Sequence, residues 1–510
     1  MGTLTDVIVT TASGKLEGLI RDGIFAFRGV PYAAPPVGEK RWLPPEPVKP
    51  WQGIRDVKKL AAVAPQNINT IRAIQDDGRQ FANQSEDCLF LNISTPALDN
   101  KRRPVMFWIH GGGCIDGAGS LGIYNGRWLA QRGDVVVVTI NYRLGSLGFL
   151  NLNEVTGGRI PATGNEGFLD QAMALKWVHD NIAAFGGDPD NVTIFGQSAG
   201  AHSVGVLLAL PAARGLFHKA ILQSGTAGNA ASLEDARRSA EVFLQALAVH
   251  GKDVSALWAL PVEKLLATQA KFTRSRELRF RAVVDGKVLP KPPLTAVENG
   301  AIKSMPLIIG TTLEEAKMYV DPTKIDEASL VKRLTEVLPV EYVPGIIETY
   351  RKIRTKHGLP TSPAEILTAV QTDATFRWGA YQLIEAQRKQ NPNVYSYIFT
   401  WKSPAQGGRL GACHAIELGF VFGTIDPVFT GQGPEAEALV RKTQDAWLSF
   451  ARTGNPSCEN LGTWPRIGKR QETMLLGKEC IVVDGPCKEE LEVWANLPKT
   501  VRITQMLGGY

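Results

Sequence analysis

Cysteine is scarce in this chain of 510 residues. Its six thiols, Cys88, Cys114, Cys413, Cys458, Cys480 and Cys487, form no C-x-x-C pair, and none falls among the first 87 residues. That spacing excludes a disulfide scaffold and any zinc or redox motif built on paired thiols; no metal and no organic cofactor are expected. Long apolar runs are missing too. The densest, Val105–Ile109 and Val135–Ile140, have strand length and fall far short of the ~18 residues of a membrane helix. Against 56 Lys and Arg stand 50 Asp and Glu, a net charge of +6. The isolated triplet Lys101-Arg102-Arg103 reads as a solvated loop rather than a nucleic-acid arm. Met1 to Thr11 shows no basic start followed by an apolar stretch, so no signal peptide is read there. A soluble protein of a reducing, cytoplasmic compartment is expected, with neither nucleic acid nor membrane as partner. The sequence is silent on oligomeric state.

What is present is regular alternation. Val7–Thr11, Leu16–Ile20 and Ile24–Phe27 are β-rich pieces separated by turn residues, which predicts an antiparallel meander. Pro31 to Pro50 is too interrupted by proline for helix or central strand. Tyr32, Trp42 and Trp51 are costly to expose, so this reads as a surface segment packed down by its aromatic rings. From about residue 88, short apolar runs alternate with helical stretches. Val105–Ile109, Val135–Ile140, Val192–Phe195, Ala220–Leu222 and Leu307–Ile309 are the candidate strands; Gly167–Ala184, Ala199–Leu210 and Leu233–His250 carry helical periodicity. Such alternation predicts the α/β class, a mostly parallel sheet with helices on both faces. Helical pattern dominates from about 325 to 390 and again over Pro434–Arg452, with Val394–Phe399 returning as a strand. With no repeat and no Gly/Ser-rich linker, residues 1–510 read as a single domain carrying a helix-rich insertion at about 325–390.

Two glycine-rich motifs carry chemistry. Gly196-Gln197-Ser198-Ala199-Gly200 matches G-x-S-x-G, with the buried-strand run Val192–Phe195 before it and a helical run after it. Strand, sharp turn and helix form a nucleophile elbow, which lifts a serine hydroxyl clear of the sheet and aims a helix N-terminus at the reacting carbonyl. An ordinary serine in a tight turn is the plainer alternative. His110-Gly111-Gly112-Gly113 follows the strand run Val105–Ile109. Side-chain-free residues there let the N–H groups of Gly112 and Gly113, joined by that of Ala199, approach a developing oxyanion. Each such donor is worth about 3 kcal/mol in a transition state.

With these motifs in place the chain resembles the type-B carboxylesterase family, which includes bacterial para-nitrobenzyl esterases. The resemblance runs through Phe27-Arg28-Gly29-Val30-Pro31-Tyr32-Ala33, Glu86-Asp87-Cys88-Leu89-Phe90-Leu91-Asn92-Ile93, Asn141-Tyr142-Arg143, Gly186-Gly187-Asp188-Pro189 and the elbow. It implies the α/β-hydrolase fold and hydrolysis of small-molecule carboxylic esters by a Ser-His-Glu triad without cofactor. Leu307 to Glu315 is similar to the segment ending in the family's acidic member, which places that role on Glu315 rather than its neighbour Glu314. A carboxylate just past an apolar strand lies where such a sheet holds its catalytic edge. Ala412 to Gly423 looks like the histidine loop, with His414 as base, and the order Ser198, Glu315, His414 is that of the fold. Ser224 is implied near the triad, as are buried ion pairs Arg41–Glu86 and Arg143–Asp170.

Among the other histidines, His202 is the local rival to His414, but an elbow turns its serine away from the following helix. His110 more naturally shapes the glycine loop, and His179, His218, His250 and His357 lack an acylation context. Two departures from the family pattern stand out. The Cys88 position has no upstream cysteine to pair with, which leaves the segment from Pro65 to Ser85, a rim of the expected cleft, without a covalent tie. Cys114 stands where relatives often carry an aromatic residue, which predicts a wider pocket and, with the three-glycine loop, turnover of bulky tertiary-alcohol esters. The expected function is a serine carboxylesterase acting through an acyl-serine intermediate. The same machinery acting on an amide, a carbamate or a specialised natural-product ester is the alternative, and a non-catalytic binding protein is the remotest reading.

Overall fold

The computed structural model describes residues 5–68, 81–228, 230–272 and 278–498. Seven parallel strands fill its centre in the spatial order Val136–Ile140, Arg103–Ile109, Gly187–Gln197, Lys219–Gln223, Leu307–Thr312, Val394–Phe399 and Glu472–Leu476. The expected meander, Thr5–Thr11, Gly14–Arg21 and Ile24–Pro31, joins this run through the antiparallel strand Phe90–Thr95. Ile481–Asp484 closes the opposite edge, also antiparallel.

The central runs read as continuous apolar sequence because both faces of each strand are covered. Val105, Phe107 and Ile109 enter one apolar cluster, Met106 and Trp108 the other; Leu307 and Ile309 divide from Ile308 in the same way. The first cluster receives the helices Glu166–Asn181, Ala199–Leu207 and Trp378–Arg388; the second receives Arg127–Gly133 and Pro434–Thr453. Trp108 anchors the second layer, its ring 4.8 Å from Phe195 and 4.9 Å from Phe422. The Pro-rich segment is packed down as expected at Tyr32 and Trp42, both buried, while Trp51 is half-buried.

The strand order reverses around Arg103–Ile109. The chain passes to Val136–Ile140 on one side, then crosses to Gly187–Gln197 on the other. Loops leaving the carboxyl ends of the two flanking connections diverge at such a point and leave a crevice there. In the helix-rich stretch, Glu327–Thr335, Val343–Lys356 and Pro363–Thr372 gather their apolar faces into a separate cluster that Trp494 completes. A π-helical turn, Asp373–Arg377, leads into Trp378–Arg388. No helix among the described residues is long and apolar enough to cross a membrane.

Candidate active site

Ser198 stands between the last residue of the strand Gly187–Gln197 and the first of the helix Ala199–Leu207. Its backbone, at φ 58° and ψ −126°, occupies a region that side-chain-bearing residues rarely adopt. Two hydrogen bonds fix the strained turn: Ser198 N donates to the Gln223 carbonyl at 2.9 Å, and the Ser198 carbonyl accepts from His202 N at 2.9 Å. Strand and helix approach so closely that a Cβ on Gly196 would lie 2.5 Å from the Gly200 backbone. The G-x-S-x-G pattern is a steric requirement here.

The glycine loop runs against this elbow. A Cβ on Gly111 would sit 2.6 Å from the Gln197 carbonyl oxygen and 3.1 Å from Ser198 Cβ. Gly112 (φ 117°) and Gly113 (φ 61°) both take left-handed backbone angles. Ile115 N and Asp116 N close the turn by donating to the Gly112 carbonyl at 2.9 and 3.0 Å. His110 lies behind it, buried, its Nδ1 2.8 Å from the Gly111 carbonyl and its ring stacked on Tyr142 at 4.4 Å. Among the described residues the N–H groups of Gly112, Gly113 and Ala199 donate to no protein acceptor. Three backbone donors next to a lifted hydroxyl can hold an oxyanion.

Glu315 and His414 come from the loops beyond two neighbouring strands, Leu307–Thr312 and Val394–Phe399. Glu315 is fully buried; its Oε1 accepts from Thr312 N at 2.7 Å, and its Oε2 meets His414 Nδ1 at 2.6 Å. A carboxylate accepts only, so Nδ1 carries the proton and Nε2 is the basic nitrogen. The neighbouring Glu314 faces another way. It pairs with Lys317 and accepts from Ala412 N at 2.9 Å, which fastens the histidine loop rather than the histidine. Phe376, delivered by the π-helical turn, packs its ring 4.8 Å from that of His414.

Among the described residues no hydrogen bond joins the serine hydroxyl to the imidazole of His414. His414 Nε2 instead meets the side-chain amide nitrogen of Gln197 at 3.0 Å. Sequence reasoning passed over Gln197, because the x of G-x-S-x-G reads as a free position. Glu417 was also passed over. It is fully buried three residues beyond His414, and burial, reinforced by Glu315, pushes its carboxyl up to about 7.

Ser224 is fully buried at a strand end, with φ 55°, and donates through its backbone to the Gly310 carbonyl at 2.8 Å. Its hydroxyl has no hydrogen-bond partner among the described residues, so no such bond ties it to Glu315 or His414. His202 is buried, which lowers its imidazole to about 4, and its Nδ1 lies 3.1 Å from the Thr226 carbonyl oxygen and 3.2 Å from Thr226 N. His179 and His357 lie beside the surface carboxylates Asp180 and Glu489, each at 3.1 Å, and His218 and His250 accept from backbone N–H groups at 3.1 Å.

Both expected ion pairs form. Arg143 meets Asp170 through Nε at 2.8 Å and Nη2 at 2.7 Å, with both side chains almost wholly buried. Arg41 grips Glu86 by two bonds of 2.6 Å. All six cysteines are free thiols. Of the rim segment from Pro65 to Ser85, residues 69–80 lie outside the described residues.

An elbow serine at the carboxyl edge of a parallel, helix-flanked sheet is the mark of an α/β-hydrolase. A profile of the carboxylesterase family matches residues 5–494. The para-nitrobenzyl esterase of Bacillus subtilis (strain 168) is 38% identical over 498 residues, 96% of this chain and 98% of that protein. The phenmedipham hydrolase of Pseudarthrobacter oxydans is 35% identical over 91% of this chain and 93% of its own. A crystal structure of a Geobacillus stearothermophilus carboxylesterase superimposes with a TM-score of 0.85 at 39% identity, covering 96% of this chain and 99% of that one. The chain belongs to the carboxylesterase family, and it is a serine hydrolase of carboxylic esters.

Proposed function

We propose that Ser198 is the nucleophile, His414 the general base and Glu315 the residue that orients it, with Gly112, Gly113 and Ala199 as the oxyanion hole. The observation that carries this reading is the 2.6 Å contact between Glu315 Oε2 and His414 Nδ1 at the strand edge that holds the strained Ser198 elbow. A serine hydroxyl is a weak nucleophile until a base removes its proton during attack. His414 Nε2 takes that proton, and Glu315 stabilises the imidazolium without itself being protonated. The ester's carbonyl oxygen becomes an oxyanion facing the three free N–H groups. His414 then returns the proton to the departing alcohol, and water, activated by the same nitrogen, releases the acid from Ser198. No step calls for a metal or an organic cofactor.

Residues 1–510 form a single α/β-hydrolase domain in this reading, with the helices of 325–390 as an insertion beside the site. Ser224 supports the strand end behind the triad. Six unpaired thiols agree with a cytoplasmic, reducing location. The decisive experiment is active-site titration with an organophosphonate: one equivalent should label Ser198, and Ser198→Ala should fold, resist labelling and lose nearly all ester hydrolysis. A label on another serine overturns the assignment. Chromogenic esters of graded acyl length, run beside matched anilides, separate ester from amide hydrolysis.

A further inference from the structure

Gln197 is almost fully buried, and its amide nitrogen lies 3.0 Å from His414 Nε2, the one imidazole atom that must accept the serine proton. With Nδ1–H committed to Glu315, Nε2 presents a lone pair, and the amide N–H is a donor matched to it. A buried lone pair left without a donor costs about 1–3 kcal/mol. A carboxylate at position 197 cannot donate to that lone pair; it would accept from Nε2–H and so favour the imidazolium.

We propose that Gln197 is a positioning residue for the base. In the resting enzyme its side-chain amide holds His414 as a neutral ring aimed into the crevice, and it cedes Nε2 to the Ser198 hydroxyl when an ester binds. This rests on the reading of Ser198 and His414 given above. The other groups around the ring are compatible with a neutral imidazole. Glu315 binds the far nitrogen, and Glu417 has its carboxyl pushed up to about 7 by burial. His202, from the helix after Ser198, is held towards its neutral form by burial. From the π-helical turn, Asp373 and Arg377 pair with each other, and Phe376 presents only its ring. Tyr319 contributes a ring 6.1 Å away.

The test is the pH dependence of kcat/KM in Gln197→Glu and Gln197→Met, read with organophosphonate labelling of Ser198 in each. In Gln197→Glu the acidic limb should move up by about one pH unit, so that activity on that limb falls about ten-fold while at pH 9 it stays within about three-fold of the parent. Gln197→Met, which lacks the donor, should move the limb in the same direction by less. A uniform loss at every pH in both variants, with the limb unmoved, overturns the proposal and leaves the amide a packing element. Label appearing on a serine other than Ser198 overturns the underlying assignment instead. Should neither variant fold, a ligand-free crystal structure of the parent at pH 8 decides: the amide more than 4 Å from Nε2 refutes the positioning role.

Discussion

Gly200 lies so close to Ile109 that a Cβ added to it would stand 2.0 Å from the Ile109 carbonyl oxygen. The helix behind Ser198 thus rests directly on the strand that precedes the glycine loop, and the proposed nucleophile and oxyanion donors are held as one unit. Gly200→Ala should cost on the order of 3 kcal/mol in stability through forced displacement and lower kcat/KM at least as sharply, because the donors shift relative to the hydroxyl. Gly345→Ala is the control. It lies in the helix Val343–Lys356 with open space around it, and should stabilise by about 1 kcal/mol. Thermal melts and ester turnover check both.

Asp170→Asn should destabilise by about 3–5 kcal/mol, because Arg143 would stay buried without its counter-charge. The exposed pair Arg102–Asp190 provides the contrast. Its carboxylate is 71% exposed, and Asp190→Asn should change stability by less than about 1 kcal/mol. Urea unfolding of the two variants side by side measures the difference.

Glu417 gives stability a pH dependence of definite sign. Its carboxyl titrates near 7 in the folded protein against an ordinary 4.5, so between those values the native state holds a proton that the unfolded chain has released. Stability from this group is present below pH 4.5 and is lost as pH rises through 7. Glu417→Gln, which cannot ionise, should therefore gain on the order of 3 kcal/mol over the parent at pH 8 and nothing at pH 4. Denaturation at the two pH values reads this directly.

Cys114 is buried, its backbone is left-handed (φ 61°), and its carbonyl accepts from Gly145 N at 2.7 Å. Measurable hydrolysis of tert-butyl or linalyl acetate is expected. Cys114→Phe should lower bulky-ester turnover more than that of ethyl acetate. Equal proportional losses would mean that position 114 acts through loop stability, and would defeat the pocket-width argument.

Legibility followed burial. The run Val394–Phe399 is readable to its last residue, because all six side chains are buried and Asn393 and Thr400 bound it. Gly187–Gln197 is longer than its apolar core, since Gly187-Asp188-Pro189 reads as a turn, although Gly187 pairs with Arg103 across a register shift. The helix after Ser198 ends at Leu207, three residues before its apolar pattern does. Glu472–Leu476 and Ile481–Asp484 escaped notice, being short and, in the second case, largely exposed at the sheet edge. So did the two-stranded parallel pair Ala230–Ser232 and Ala282–Val284, whose three residues apiece carry no period. In the site, Ser198 and the glycines announce themselves through local sterics. The contact of Gln197 with His414 spans 217 positions, and the π-helical turn that delivers Phe376 has no local signature. Such features depend on which loops meet, and only the folded sheet decides that.

The order of the site residues along the chain also orders the enzyme's birth. The proposed loop donors at 112 and 113, the elbow at 198 and the proposed acid at 315 all leave the ribosome before the proposed base at 414, and the strand Glu472–Leu476 that flanks Val394–Phe399 emerges later still. A nascent chain halted short of residue 414 owns the Ser198 hydroxyl without the base proposed to take its proton. With the roles proposed above, hydrolysis requires the chain through His414, so a product truncated before that residue is expected to be an inert protein and not a weakened esterase.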